Sequence, residues 1–424
     1  MAGKKGVIPT HVKKKNFSHP SIQHPIIQIL EEIEDSRKPS YFFQYSLTSV
    51  LFMTFIATIC GAKDWAQIVI MSQGMTDWLS HYIDMTNGVP CERTFKNIFN
   101  SIKPETMENA LLELSRMLRK KIHGDIVSFD GQTERGTVNK YENLTGIHLL
   151  NAWSTDNEIC LGQLKVDDKS NEITAVPKLM ESLDLKGSIV TADALNTQKT
   201  INAKAIECGA DYLLPVKGNQ PTLLQEVTSA FEQLDIELAK AQELWERALL
   251  KAKEARDKIR TKKLLDEGPS MCGASFWESV EKGHGRIENR NCMAMSADGL
   301  PCQSEWIELN TIVRICRERK EGTKVTQEIS YYITSLFHEA EKIAGVARRH
   351  WGVENKLHWR LDVIFRQDNS RYRDRVGARN MAVIRKMALN ALLKDTSIKR
   401  GVGTKQCAAA CNPTYRERIL KNLF

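Results

Sequence analysis

The stretch Ile126-Val127-Ser128-Phe129-Asp130-Gly131 constrains this chain more than any other. β-prone residues run straight into an acid and a glycine, which predicts a buried strand that holds the carboxylate of Asp130 at its end, where the chain turns away. A buried carboxylate without a partner is costly, so the position calls for a countercharge or a cation. Matching acids follow twice. Asp193 comes after the apolar run Ser188-Ile189-Val190-Thr191-Ala192, and Glu354 lies in the polar run Arg348-Arg349-His350-Trp351-Gly352-Val353-Glu354-Asn355. Two strand-end aspartates and a helical glutamate suggest a divalent-metal site.

The rest of the chain sets the scale around these acids. At 424 residues it is too long for one small core and should divide into two or three domains. With 42% apolar and 26% charged residues it reads as a soluble globular enzyme. The longest apolar run, Leu47 to Ile59, is shorter than the roughly 20 residues of a membrane span and predicts a buried helix, so no membrane partner is expected. An excess of 60 Lys and Arg over 52 Asp and Glu gives a charge of +8, compatible with a nucleic-acid partner. Ten cysteines show no Cys-x-x-Cys pair, and Cys407 and Cys411 have no histidine nearby, so neither zinc nor a disulfide framework is indicated. A reducing, cytoplasmic setting fits this usage. Residues 1–24 are Lys-rich without an apolar leader core, and read as a disordered basic arm able to touch phosphates.

Residues 25–118 are helical in pattern throughout, with a turn at Gly88-Val89-Pro90 into another helix. A helix-turn-helix DNA reader and a plain helical packing domain both fit that arrangement. From Gly124 the period changes. Ile126 to Phe129, Gly146 to Trp153 and Ile159 to Val166 predict three meandering strands, followed by helix Glu172 to Leu183, strand Ser188 to Ala192, helix Thr197 to Cys208 and strand Asp211 to Val216. Such an order predicts a mixed α/β fold, one sheet covered by helices, with Asp130 and Asp193 on neighbouring strands. An inserted α+β segment at about 223–335 begins with a charged helical hairpin and continues with strands at Phe276 to Ser279, Cys292 to Met295, Asn310 to Arg317 and Glu328 to Thr334. The chain is helical again to about Leu393, with a break around Asp362 to Asp374, and residues 395–424 form a tail.

Asp130, Asp193 and Glu354 stand 63 and 161 residues apart, so only a tertiary fold can bring them together. Hard cations take oxygen ligands, and two magnesium ions about 4 Å apart activate a water or hydroxyl while stabilising the leaving oxygen. Spacing alone does not single out three acids among 52, each of which has a surface or capping role as its alternative.

Five blocks add to that reading: Ser128-Phe129-Asp130-Gly131-Gln132-Thr133; Asp193-Ala194-Leu195-Asn196-Thr197-Gln198; Asp211-Tyr212-Leu213-Leu214 with Lys217-Gly218-Asn219-Gln220; Lys282-Gly283-His284-Gly285-Arg286-Ile287-Glu288; and Arg349-His350-Trp351-Gly352-Val353-Glu354-Asn355-Lys356-Leu357-His358-Trp359. Together, in this order and spread over a match from about Pro25 to Leu393, they resemble the DDE transposases of the H-repeat-associated insertion-sequence group. The resemblance implies a ribonuclease H-like catalytic core at 122–394. Asp130, Asp193 and Glu354 would be its metal-binding and catalytic residues, holding two Mg2+ ions for which Mn2+ can substitute. It also implies a helical associated domain at 25–118, the terminal inverted repeats and target DNA as partners, and a homodimer in the synaptic complex. The charged run at 223–265 is longer than the group usually carries, and Gln367 stands where an acid is common.

The implied reaction is cutting of element ends and joining of 3′ hydroxyls to target DNA. The alternatives are a metal-dependent nuclease without strand transfer and a non-catalytic DNA-binding derivative. Around Glu354, the residues Arg348, Arg349, His350, Lys356, His358 and Arg360 crowd one predicted helix and would set cations beside a phosphate, a solvated basic face being the alternative. Trp351 would stack on an extruded base or pack beneath the site. Lys217 and Asn219 lie in a polar loop that would hold a phosphate. Asn196 would orient Asp193 or, more economically, cap the next helix, and His284 is expected in a tight turn.

Overall fold

The computed structural model describes residues 24–37, 44–139, 141–166, 171–283 and 285–424. All but His24 of the expected basic arm, and His284, lie outside the described residues.

The N-terminal part is helical, as its 3.6-residue pattern requires: α1 (Pro25–Glu31), α2 (Leu47–Ile59), α3 (Trp65–Gly74), α4 (Thr76–Leu79), α5 (Glu92–Ser101) and α6 (Pro104–Leu118). Every residue of α2 is buried. Its polar side chains are satisfied locally: Ser46 caps the first turn by accepting from the Ser49 amide (3.0 Å), while the hydroxyls of Thr54 and Thr58 donate to the carbonyls of Val50 and Thr54 (2.8 and 2.7 Å).

The sheet follows. The chain runs β1 (Ile126–Glu134), β2 (Ile147–Ser154), β3 (Ile159–Lys165), α7 (Glu172–Glu181), β4 (Ile189–Ala192), α8 (Lys199–Glu207) and β5 (Asp211–Val216). Then come the paired helices α9 (Pro221–Glu254) and α10 (Lys258–Glu267) and four long strands, β6 (Ser275–Gly283), β7 (Arg286–Ser296), β8 (Thr311–Glu321) and β9 (Lys324–Thr334). α11 (Ala340–His350) leads into π-helical turns at Val353–His358 and Arg360–Ile364, and α12 (Arg375–Lys394), α13 (Val402–Cys411) and α14 (Pro413–Lys421) close the chain.

Among the described residues, the nine strands join one sheet, in the order β3-β2-β1-β4-β5-β9-β8-β7-β6. β1 to β3 meander antiparallel, β4 lies parallel to β1, and β5 lies parallel to β4. The inserted segment does not stand apart, because β9 pairs antiparallel with β5 and carries β8, β7 and β6 outward. Its strands outrun the sequence expectation. Their distal halves are solvent-exposed, with Val280, Ile287, Val325 and Ile329 uncovered among polar residues, so burial stops there while backbone pairing continues, as far as the two-residue turn Gly322-Thr323 with Gly322 at φ +59°.

α12 ties sheet and helices together. It is buried along most of its length and packs on α2, α5, α6 and β3. Three of its polar side chains find specific partners. Asn380 Nδ2 donates to the carbonyls of Phe99 and Ile102 at the end of α5 (2.9 and 3.0 Å), Asn390 pairs with the backbone of Cys160 (2.8 Å each way), and Lys386 Nζ donates to Gln163 Oε1 (2.7 Å). Residues 395–424, expected as a tail, are largely helical and packed, with Tyr415 Oη donating to Asp395 Oδ2 (2.7 Å) and Ile419 and Leu420 buried.

Candidate active site

β1 and β4 pair in parallel from Ile126 with Ile189 through Phe129 with Ala192, so the next residues, Asp130 and Asp193, come off the sheet side by side. β4 ends there. β1 does not, contrary to the expected turn at Asp130: it runs on to Glu134 because β2 keeps pairing with it, Asp130 opposite Asn151 and Glu134 opposite Ile147. Gly131 is therefore a strand residue, and its role is clearance. A Cβ there would overlap Glu172 Oε1 and His148 Nε2, which hydrogen-bond to each other at 2.7 Å directly over it.

Glu172 is the acid that sequence reasoning missed. It opens α7, accepts from His148 and takes a hydrogen bond from Asn196 Nδ2 (2.9 Å). The same Asn196 amide donates to Asp193 Oδ1 (2.8 Å), so one buried side chain fixes both carboxylates. The expected capping role belongs to Asp193 itself, which accepts the Asn196 amide N–H (3.1 Å) at the turn Ala194–Asn196. In the sequence, Glu172 is one helix-starting acid among many and carries no signal of its own.

The electrostatics converge on Asp130. Burial, then the charges of Glu172, Glu354 and Asp193, push its carboxyl up to about 7. Burial also raises Asp193, against the hydrogen bonds of Asn196 and the charge of Lys217. Burial works against the ionised form of Glu172 as well, yet the His148 and Asn196 hydrogen bonds hold it below the ordinary glutamate range. His358 Nδ1 sits 3.5 Å from Asp130 Oδ2, and burial keeps this imidazole neutral, down to about 3. Glu354 lies on the π-helical turn after α11 and is exposed. Among the described residues, no group of three or more His, Cys, Asp and Glu side chains is gathered closely enough to ligate a metal as it stands.

The expected basic face is different from its sequence reading. Arg348 pairs with Glu281 of β6 (2.7 Å), Arg349 with Asp156 (2.6 Å) and Lys356 with Glu158, all acids remote in sequence. Arg360 is partly buried, which lowers its pKa. His350 is held neutral by burial, at about 4, with its Nδ1 2.9 Å from Thr191 Oγ1. Trp351 is half exposed and meets the His350 ring edge-on. Asn219 donates to the Ala194 carbonyl (2.6 Å) and Gln220 to that of Thr197 (2.9 Å), so the 217–220 loop braces the turn that carries Asp193.

Comparison with known proteins follows the same division of the chain. Residues 123–391 match the family profile described as transposase DDE domain, and residues 27–114 match the one described as DDE_Tnp_1-associated. YbfL of Escherichia coli K12 is 32% identical over 396 residues, 93% of this chain and 97% of that protein. The "H repeat-associated putative transposase YhhI" of the same strain is also 32% identical, with the same coverage of both chains. A solved piggyBac transposase synaptic complex with hairpin DNA superposes with a TM-score of 0.37 and 9% identity over 95% of this chain and 82% of that one, too loosely to carry an argument. Matched over more than half its length by the domain profile and over nearly all of it by these relatives, the chain belongs to the DDE transposase family.

Proposed function

We propose that this protein is a DNA transposase that hydrolyses phosphodiester bonds at the ends of its own element and joins the freed 3′ hydroxyls to target DNA. The observation that carries the reading is the placement of Asp130 beside Asp193, where burial first, and then the charges of Glu172, Glu354 and Asp193, raise the Asp130 carboxyl to about 7. Like charges crowded in this way are relieved by a cation, and an all-oxygen donor set suits Mg2+ or Mn2+. The strand order β3-β2-β1-β4-β5, with two helices between its parallel strands, supports a ribonuclease H-like core inside the larger sheet.

In this reading Asp130, Asp193 and Glu354 would hold two divalent ions, which would supply Lewis acidity for an in-line displacement at phosphorus without a covalent enzyme intermediate. Asn196 fixes the Asp193 carboxylate, and the His148–Glu172 pair holds the fourth acid close by while leaving Asp130 unengaged. With its carboxyl raised to about 7, Asp130 is partly protonated near neutrality, and a divalent cation held there would favour its ionised form. Neutral His358 borders it without adding charge. Arg348, Arg349 and Lys356 would meet DNA by exchanging their carboxylate partners for phosphates, and Arg360, Lys217 and Trp351 would add contacts beside them, in a dimer that brings two ends together.

The test is a supercoiled plasmid bearing the element's terminal repeats, incubated with the protein and Mg2+ beside Asp130→Asn. End-specific nicks and joined products that disappear in the variant are expected. Nicks without joined products would leave a nuclease, and binding without cleavage, equal in both proteins, would leave a non-catalytic DNA binder.

A further inference from the structure

Away from the acids, a cavity of about 610 Å³ opens where the N-terminal helices meet the segment after the glutamate. Its lining includes Lys63 and Trp65 from the start of α3, Arg366 and Arg371 from the loop before α12, and Arg385 from α12. Two further charges of the wall, Glu92 and Lys96, neutralise each other at 3.2 Å, and Asp64 is occupied capping α3 through the Gln67 amide (2.9 Å).

The remaining cations have no such partners. Lys63 Nζ donates only to the neutral Gln406 Oε1 (2.9 Å), and burial together with the charges of Arg366 and Arg385 brings it down to about 8. Arg385 is only 4% exposed yet, among the described residues, makes no hydrogen bond or ion pair. The acid whose charge it feels is Glu134, itself buried, without a hydrogen-bond partner and pushed up to about 7 by burial, so its countercharge is incomplete near neutral pH. Arg366 stands in the left-handed region at φ +53°, a conformation that a non-glycine residue adopts only when its surroundings hold it there. A guanidinium largely withdrawn from bulk water, with no protein acceptor at the wall of a cavity this size, gains from an anion that completes its hydrogen bonding.

We propose that this cavity is a phosphoryl-anion site in which Lys63, Arg366 and Arg385 clamp one backbone phosphate of a DNA strand that crosses the cavity mouth between the start of α3 and the loop before α12. The planar forks of two arginines suit bidentate contact with phosphate oxygens, and Trp65 offers an apolar floor beneath the sugar. The identity of the strand rests on the DNA reading above; the preference for a phosphoryl group does not.

The test uses the full chain with Lys63→Gln/Arg366→Asn, in which Asn tolerates the left-handed backbone, and the charge-preserving Arg366→Lys. Binding of a labelled duplex is followed across salt concentrations, and thermal unfolding is followed with and without inorganic phosphate. We expect the double variant to bind duplex about tenfold more weakly, with the slope of log affinity on log salt reduced by about 0.9, the change expected when one phosphate is no longer neutralised. Arg366→Lys should keep the slope, and phosphate should stabilise the wild type but not the double variant. Unchanged duplex affinity and slope, with no stabilisation by phosphate, would overturn the proposal. Stabilisation by phosphate with unchanged duplex binding would overturn the strand assignment and leave free phosphate as the ligand. Nicking that depends on Asp130 is scored separately at saturating protein, so loss of this site and loss of the transposase reading give different results.

Discussion

Replacing Asp130 by Asn should make the protein more stable while removing its activity. The Asp130 side chain is 18% exposed, and folding carries its carboxyl from 3.8 to about 7. The folded state therefore binds this proton more tightly than the unfolded chain does. The stability it contributes is complete below the unfolded value of 3.8 and is lost as pH rises through the folded value of about 7. A separation of about 3 pH units at about 1.36 kcal/mol each amounts to a penalty on the order of 4 kcal/mol above pH 8, and roughly 1.5 kcal/mol at pH 5. Asn is neutral at both values and of similar size, so the variant escapes the penalty. Urea unfolding with EDTA present, followed by tryptophan fluorescence, should put Asp130→Asn above wild type by a few kcal/mol at pH 8, with the gap shrinking at pH 5. Added Mg2+ should then raise the wild type alone, since the cation binds only the folded wild-type site. A variant no more stable than wild type at pH 8, or a gap independent of pH, would refute the electrostatic account of this site.

The remaining expectations concern how the acids and helices are held. Gly131→Ala pushes a methyl group into the His148–Glu172 pair and should cost roughly 2 kcal/mol in urea unfolding, with at least a tenfold fall in end nicking. Asn196→Leu removes both amide bonds to Asp193 and Glu172; nicking should fall by about a hundredfold while duplex affinity measured by anisotropy stays within a factor of two. Asn380→Leu leaves the carbonyls of Phe99 and Ile102 without their donor and should cost about 2–3 kcal/mol in the same unfolding assay, with nicking at permissive temperature preserved.

Much of this architecture is legible in the residues. The period change at Gly124 marks where helices give way to the sheet, and the apolar runs ending at Phe129 and Ala192 become the adjacent parallel strands β1 and β4. The predominantly apolar character of Leu47 to Ile59 gives a wholly buried helix, and the charged run after Gln220 gives the helical pair α9 and α10. Short-range pattern carries such features because burial periodicity is a property of each segment by itself.

Tertiary structure decided what depends on segments meeting. Glu172 joins the site through His148 and Asn196, residues 24 positions away on either side, and no local pattern distinguishes it from other helix-opening acids. The cations around Glu354 look free in the sequence, but Glu281, Asp156 and Glu158 reach them from β6 and the β2–β3 turn. The inserted strands look like a separate unit until β9 is seen to hydrogen-bond with β5. Glycine after Asp130 reads as a turn, yet it is a clearance for the His148–Glu172 hydrogen bond between two other elements. The sequence by itself determined most of the strands and helices, though not the helical 395–424 segment or the full length of β1 and the inserted strands. The fold alone decided which charges lie within each other's field, because Coulomb and hydrogen-bond partners are set by distance in space and not along the chain.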